Sequence, residues 1–253
     1  MGNLEFFDSN VYLGRPQGVR IFANLPEKEL LGTLNANSIT QALVWHYSQL
    51  EDHPATGNEI LAAAVADRKN LKGVWALMPP QTGEIICRDF FRKMKKNKIG
   101  ALTAFPNKHK FLMRRTVWGS FMDEVSDRKI PLIFSMQYGI GWESLYAFLE
   151  QYPEITCILS DIGIWGVDRY TWPLLENFPN VRLESSQLSL EAGGLEETTR
   201  KYGASRIVFG SGFPERYAEA ATLQLSHADI SDREKRMIAK ENLESILAGI
   251  KYE

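Results

Sequence analysis

The chain has 253 residues, 44% of them hydrophobic and 24% charged, so it is long enough to bury a large core without disulfides. Its 29 Lys and Arg against 31 Asp and Glu leave a net charge of −2, which predicts a small-molecule partner and neither nucleic acid nor a membrane. The two cysteines, Cys87 and Cys157, lie in apolar surroundings and lack the CxxC spacing of zinc sites, which favours buried thiols in a reducing, cytoplasmic compartment.

Eight short runs of apolar, β-branched or aromatic residues follow one another along the chain. Each run is bounded by polar or turn-forming residues, a pattern that is typical of strands. The runs begin near Leu4, Gln41, Lys72, Ile99, Ile130, Ile155, Val181 and Arg206.

Segments with helical spacing separate these runs, and most of them stop at Pro or Gly. The predicted helices are 59–70, 89–97, 113–128, 142–151, 169–177, 192–202 and 216–228. After the last of them, the segment from Ser231 to Glu234 has the pattern of a capping box, which predicts an extra C-terminal helix to about residue 247.

Eight strands that alternate with helix-sized segments predict βα units with right-handed crossovers in a parallel sheet. An eightfold repeat favours a (β/α)8 TIM barrel, an α/β fold. A doubly wound open sheet is the alternative, but no GxGxxG or GKS/T motif follows any strand. No linker divides the chain, so residues 1–253 are expected to form one domain. The longest run of small apolar residues, 60–66, is too short to cross a bilayer.

In such barrels the active site lies at the C-terminal ends of the strands, so polar and aromatic residues at those ends are the candidates for ligand binding. An arginine after the last strand suits the carboxylate or phosphate of an anionic ligand. The candidates are Asn10, Tyr12, His46, His109, Ser135, Gln137, Trp165 and Arg216.

Several segments resemble the amidohydrolase-related (amidohydrolase 2) family of metal-dependent hydrolases. They are PLIFS (131–135), YPEITCILSDIG (152–163), FPNVRL (178–183) and RIVFGSGFP (206–214). The opening segment 7–14 and the terminal segment 231–247 are also similar to that family. The resemblance implies an amidohydrolase-like barrel. It also implies a divalent metal held by an HxH pair after the first strand, by histidines ending strands five and six, and by an aspartate after strand eight.

The sequence departs from that metal site at each of these positions. Asn10 and Tyr12 stand at the HxH positions, Ser135 ends strand five, Asp161 follows strand six, and Gly212 replaces the last aspartate. A hydrolytic zinc site needs about three good protein ligands and an open position, which this set does not supply. We therefore expect a divergent member that holds no metal and needs no cofactor.

Asp161 is the one acid at a strand end where the resembled family keeps a catalytic group. The first hypothesis is therefore a metal-independent hydrolase of a lactone, amide or ester, or a decarboxylase, that acts on a small carboxylated molecule. Asp161 would be its catalytic acid/base, and Asn10 or Tyr12 would polarise a carbonyl group. The alternative role for Asp161 is to hydrogen-bond with neighbouring groups and close the vacated metal site.

Two further hypotheses stay open. In the second, the barrel is a catalytically inactive pseudoenzyme that acts as a ligand sensor or as the partner subunit of an active relative. In the third, it is a metal hydrolase with a displaced site, built from His46, His109, Asp8 and Asp161. Barrels of the resembled family often pair, so a homo-oligomer is also open.

Overall fold

Eight parallel strands form one sheet in the computed structural model of the protein, which describes residues 4–14, 27–164, 166–188 and 193–253. Each strand pairs with the next one along the chain, in the order β1 to β8. The strands are β1 (Phe6–Leu13), β2 (Ile39–His46), β3 (Leu71–Ala76), β4 (Ile99–Thr103), β5 (Leu132–Ser135), β6 (Cys157–Ser160), β7 (Val181–Glu184) and β8 (Ile207–Val208).

Hydrogen bonds between the first strand and the segment after the last strand close the sheet into a barrel. The Ser9 N–H donates to the Phe209 carbonyl and the Tyr12 N–H donates to the Phe213 carbonyl, each at 2.9 Å. Val11 and Phe213 form a parallel bridge between the same segments. The predicted (β/α)8 barrel is thereby confirmed, and the open-sheet alternative is wrong.

Helices cover the outside of this barrel, so most strand residues are buried, as is typical of parallel sheets. The helices are α1 (Glu27–Ala36), α2 (Ser48–Glu51), α3 (Pro54–Val65), α4 (Phe90–Lys96), α5 (Pro106–His109), α6 (Arg115–Trp118), α7 (Ser120–Asp127), α8 (Trp142–Gln151), α9 (Asp168–Asn177), α10 (Ser185–Leu188), α11 (Gly194–Tyr202), α12 (Ala218–His227), α13 (Asp232–Arg236) and α14 (Asn242–Ala248).

Two predicted helices are divided in the structure. The segment 113–128 forms α6 and α7, which meet at Gly119, where a φ of +51° interrupts the helical backbone. At the C-terminus the capping box of Ser231 and Glu234 is present and begins α13, as predicted. A π-helical segment, Met237–Glu241, then separates α13 from α14.

The helix α1 is not among the predicted ones. It buries Leu30 and Leu34, one turn apart, and leaves most of its other described side chains at least partly exposed. Within the described parts of the chain, no helix combines the length and the apolar character that crossing a bilayer requires.

Candidate functional site

The candidate site is centred on Asp161, which directly follows β6. Its φ is +53°, a left-handed conformation that aspartate tolerates better than most residues, and its side chain is buried. Its carboxylate contacts residues that lie at or beyond the ends of β1, β5, β6 and β8. The rule that parallel strands bring their C-terminal ends together therefore holds for this cluster.

Three side chains donate hydrogen bonds to Oδ1 of Asp161. They are Nδ2 of Asn10 at 3.3 Å, the hydroxyl of Tyr12 at 3.1 Å and Nη1 of Arg216 at 2.7 Å. Burial, together with the negative charge of Asp161, raises the pKa of Tyr12 well above its usual value. The Tyr12 hydroxyl therefore stays protonated at neutral pH and acts as a donor.

The second carboxylate oxygen of Asp161 is also engaged. Oδ2 accepts from Oγ of Ser135 at 2.6 Å, from Oγ of Ser160 at 3.4 Å and from the Tyr12 hydroxyl at 3.3 Å. A carboxylate offers about four acceptor positions, so little capacity is left to take a proton from a substrate. The hydrogen bonds favour the role in which Asp161 closes a vacated metal site, and its role as catalytic acid/base stays a prediction.

Arg216 forms a partly buried ion pair with Asp161. The Asp161 side chain is fully buried, whereas the Arg216 side chain is 21% exposed. Burial alone would lower the pKa of Arg216, but the charges of Asp161, Tyr12 and Glu184 raise it above its usual value. The guanidinium is therefore a permanent cation at the ends of the strands.

The geometry of Arg216 uses only part of its hydrogen-bonding capacity. Nη1 donates to Asp161 and lies 3.4 Å from Oγ of Ser186. With the described residues, Nη2 and Nε form no hydrogen bond. The described residues therefore leave donors on this edge of the fork unused.

Gly212 provides the space for this guanidinium. Its φ is +67°, and a β-carbon built on it would lie 2.2 Å from Nη1 of Arg216. Contacts this short do not occur between real side chains, so Arg216 could not keep its position beside a larger residue at 212.

Glu184 is a second buried carboxyl group in the same cluster. Its Oε2 accepts from Nδ2 of Asn10 at 3.3 Å and from Oγ of Ser186 at 2.9 Å. Burial, and then the charge of Asp161, raises the pKa of Glu184 to about 7. Glu184 can therefore gain or lose a proton near neutral pH. The sequence analysis did not single out Glu184 as an acid/base group.

Asp8 links the first strand to the last at the same end of the barrel. It accepts from the N–H of Asn10 at 2.9 Å and from the N–H of Ser211 at 3.0 Å, and it also binds the Ser211 hydroxyl. Burial raises the pKa of Asp8 to about 6. These bonds fix the backbone beside Asn10, and they hold Ser211 in the turn after β8.

The two predicted ligand-binding histidines do not contact Asp161. Nδ1 of His46 accepts from the N–H of Ser48 at 3.1 Å, and Nε2 of His109 lies 3.1 Å from the carbonyl oxygen of Leu50. Burial lowers the pKa of both imidazoles. Across the described ranges, no group of three or more His, Cys, Asp or Glu residues is arranged to hold a metal ion.

The remaining candidates divide between the cluster and its surroundings. Gln137 is exposed in the loop after β5. Trp165 lies outside the described residues. The structure brings together Asn10, Tyr12, Ser135, Asp161 and Arg216.

An acid that the sequence analysis did not select, Glu215, connects three loops beside this cluster. Its Oε1 accepts from the Tyr47 hydroxyl at 2.7 Å and from the Tyr138 hydroxyl at 2.5 Å. The Trp45 ring packs against both of these tyrosines and lies 4.7 Å from the ring of Tyr12, which Tyr47 also contacts. The loops after β2, β5 and β8 are thus tied together over an aromatic wall.

The barrel interior below the site is closely packed. A cavity of about 10 Å³ remains there, which is room for about one water molecule. Asn10, Trp45, Phe105 and Ser135 are among its lining residues.

Comparison with known proteins gives matches only among solved structures. No protein-family model and no curated protein matches the chain. A 2,6-dihydroxybenzoate decarboxylase complexed with 2,6-dihydroxybenzoate is 13% identical, with a TM-score of 0.74 over 98% of this chain and 99% of that one. A putative amidohydrolase from Staphylococcus aureus is 13% identical, with a TM-score of 0.73 over 97% of this chain and 100% of that one.

A third similar structure contains a metal ion. It is a dihydroxybenzoic acid decarboxylase from Polaromonas sp. JS666 with bound manganese and the inhibitor 2-nitroresorcinol. It is 14% identical, with a TM-score of 0.71 over 97% of each chain. These likenesses confirm the prediction that the chain has the fold of amidohydrolase-related TIM barrels.

The residues of this chain do not fit the divalent metal that the fold family implies. Asn10, Tyr12 and Ser135 are neutral donors of hydrogen bonds to Asp161. Asp161 itself is paired with the guanidinium of Arg216. The cluster thus consists of donors arranged around one carboxylate, whereas a metal site requires several acceptors arranged around one cation.

Proposed function

We propose that this barrel binds a small carboxylated molecule at the C-terminal ends of its strands without a metal ion, and that Arg216 binds the carboxylate. The observation that supports this function is the partial use of the guanidinium. Asp161 and Ser186 contact Nη1, whereas Nη2 and Nε form no bond with the described residues. A ligand carboxylate matches this open edge, since it can accept two parallel hydrogen bonds from a guanidinium.

The protonation state of Glu184 controls whether a ligand anion can bind beside Arg216. Asp161 already neutralises the guanidinium, so a ligand carboxylate is repelled when Glu184 is also ionised and is tolerated when Glu184 is protonated. Because the pKa of Glu184 is about 7, this residue is largely protonated in mildly acidic solution. We therefore expect the ligand to bind more tightly at pH 6 than at pH 8.

The surroundings favour an acid that carries a ring. Tyr12, Trp45, Tyr47 and Tyr138 form the aromatic wall beside the cluster, with ring centroids 4.7–6.1 Å apart. Tyr12, Trp45 and Tyr47 are buried and pack with one another, so Tyr138, the partly exposed member of the wall, is the side chain that would contact the ring of a ligand. Benzoates are therefore the first ligands to test, and 2,6-dihydroxybenzoate, which a structurally similar decarboxylase binds, belongs among them.

The test is calorimetric titration at pH 6 with benzoate, 2,6-dihydroxybenzoate and succinate, and with benzamide as an uncharged match for benzoate. We expect at least one acid to bind and benzamide to bind at least about tenfold more weakly than benzoate. The informative variant is R216K, because a lysine keeps a charge beside Asp161 but has no fork.

For R216K we expect a loss of affinity of about tenfold or more, whereas R200K, at an exposed position on α11, is the control that should bind as the wild type does. The proposal is refuted if none of the acids binds, or if R216K binds them as tightly as the wild type does.

Decarboxylation of an aromatic acid is a second candidate function. The pKa of Glu184, about 7, favours it because a carboxyl group with this pKa can donate a proton near neutral pH. The carbon–carboxylate bond would break to release carbon dioxide, and the ring carbon would take the proton of Glu184, which water then restores. Incubation with 2,6-dihydroxybenzoate and detection of resorcinol tests this step, with E184Q as the inactive variant. Binding of the acid without turnover would instead support the pseudoenzyme that acts as a ligand sensor.

A further inference from the structure

Three carboxyl groups are buried at one end of the barrel, and Arg216 contacts one of them, Asp161. Asp8, Asp161 and Glu184 are each less than 5% exposed. Arg216 pairs with Asp161 at 2.7 Å, and its positive charge also acts on Glu184. Buried anions need a compensating cation, which in structurally similar barrels can be a metal ion.

We propose that the guanidinium of Arg216 is a built-in replacement for that metal ion, so that the wild-type barrel excludes divalent cations from the ends of its strands. This inference concerns the protein without any ligand, and it holds whether or not a carboxylate binds to the outer edge of Arg216.

The first observation that supports this replacement is which residues stand at the expected metal-ligand positions around the guanidinium. Residues 10, 12, 135, 161 and 212 are the five positions at which the family resemblance places metal ligands. Four of them now contact one another through Asp161, and the fifth, Gly212, makes room for Arg216. An aspartate at 212 would have its β-carbon 2.2 Å from Nη1, so a metal ligand at that position is incompatible with this position of the arginine.

The second support is the balance of charge and donors. Asp161 is neutralised by Arg216, and Asn10 donates to both Asp161 and Glu184. A divalent cation would have to displace a guanidinium that remains attached to the chain, and the amide of Asn10 and the hydroxyls of Tyr12 and Ser135 would have to rotate from donating to accepting. Each of these changes breaks a buried charge-assisted hydrogen bond.

The first experiment replaces the tethered cation with a free one. R216A leaves the Asp161 carboxylate without its cation, and guanidinium chloride at 20 mM provides the missing group in solution. We expect guanidinium to raise the melting temperature of R216A by about 2–4 °C. Urea at the same concentration, which has nearly the same shape but no charge, should give no increase.

Two controls assign the effect to this site. The wild type should not gain stability from guanidinium, because Arg216 already fills the position. The double variant R216A/D161N should not gain it either, because the carboxylate that binds the ion is absent. Equal effects of guanidinium on R216A and on R216A/D161N, or no effect on R216A, would refute the replacement.

The second experiment uses the wild type, so it decides even if R216A fails to fold. After dialysis against a chelator, the protein is titrated with Mn²⁺ under electron paramagnetic resonance and with Zn²⁺ in a calorimeter. We expect no stoichiometric binding of either ion. Binding of one ion per chain with micromolar or tighter affinity would overturn the inference, and this outcome is independent of whether any carboxylate binds.

Discussion

The guanidinium of Arg216 lies where the side chain of any residue other than glycine at position 212 would begin. A β-carbon built on Gly212 would be 2.2 Å from Nη1 of the arginine. The substitution G212A should therefore force the guanidinium away from Asp161. We expect G212A to reduce the free energy of unfolding by more than the about 1–2 kcal/mol that a left-handed alanine costs by itself. The loss should stay below the about 3–5 kcal/mol of deleting one partner of a buried ion pair, because the arginine side chain can move aside and keep its charge in partial contact with water. Urea denaturation monitored by circular dichroism measures this loss.

Gly83 provides a matched control for the backbone strain in G212A. Its φ is also +67°, but a β-carbon built on it meets no atom within 4 Å. G83A should therefore reduce the free energy of unfolding only by the cost of placing an alanine in the left-handed conformation, about 1–2 kcal/mol. Equal losses for the two variants would show that Arg216 does not depend on the glycine.

Removing the charge of Asp161 should leave Arg216 as an uncompensated cation in a partly buried site. We expect D161N to destabilise the protein by about 3 kcal/mol or more. The pair of Arg115 and Asp123 gives the comparison, with 2.6 Å between Nη2 and Oδ2 but with both side chains more than 40% exposed. D123N should cost less than about 1 kcal/mol, since exposed ion pairs contribute little.

Thermal melting of both variants at low and high salt separates the two kinds of pair. Added salt screens the exposed pair of Asp123, so the small difference between D123N and the wild type should shrink. The larger difference for D161N should persist. A D161N protein as stable as the wild type would mean that the buried ion pair contributes nothing to the fold.

The pKa of Glu184 predicts how stability depends on pH. Burial raises this pKa from the ordinary 4.5 to about 7, so the folded state holds the proton more tightly than the unfolded state. The contribution of Glu184 to stability therefore decreases as pH rises from 4.5 to 7, by up to about 3 kcal/mol, and stays at its lower value above that range.

E184Q removes this titration. The difference in stability between the wild type and E184Q should shift against the wild type across this pH window, on top of a constant offset from the altered hydrogen bonds. The exposed Glu59 provides the control, because E59Q should follow the wild type at every pH. Parallel pH profiles for the wild type and E184Q would contradict the raised pKa.

Much of the fold can be predicted because the strands are buried on both faces. Such strands are near-continuous apolar runs, and the predicted starts at Ile99 and Val181 coincide with the starts of β4 and β7. The helix α1 escapes prediction because its apolar residues are few and Gly32 lies in its middle. A glycine costs a helix about 1 kcal/mol, so packing against the barrel must provide the stability that the sequence pattern does not show.

The site is predictable to the extent that strand ends converge. That rule selects Asn10, Tyr12, Ser135 and Arg216 from the sequence, but it also selects His46 and His109, which bind other partners. Asp161 is singled out through the family resemblance. The rule does not give the number of donors around one carboxylate, because hydrogen-bond saturation depends on side-chain rotamers. It also cannot pair Glu215 with tyrosines far along the chain, since such contacts arise only when the loops fold together.

Asn58 and Gln49 form a buried hydrogen-bonded network that fixes the ends of β2 and β3. Oδ1 of Asn58 accepts from the N–H of Ala76 at 2.8 Å and from Nε2 of Gln49 at 2.7 Å, and its Nδ2 donates to the Ala76 carbonyl at 2.9 Å. Gln49 in turn donates to the Val74 carbonyl and accepts from the N–H of His46.

The substitution N58A would leave several of these buried groups without partners. We expect a loss of about 2–4 kcal/mol in the free energy of unfolding, since each unsatisfied buried polar group costs about 1–3 kcal/mol. Asn177 is the matched control, because its Nδ2 bonds the Pro173 carbonyl at 2.8 Å on the exposed end of α9. N177A should change stability by less than about 1 kcal/mol.

Hydrogen exchange gives a local test of the same network. The amide of Ala76 should exchange faster in N58A, whereas the amide of Leu102, which bonds the Pro131 carbonyl across β4 and β5, should change only as global stability does. Retained protection at Ala76 would show that water replaces the Asn58 side chain and that the network does not fix the strand ends.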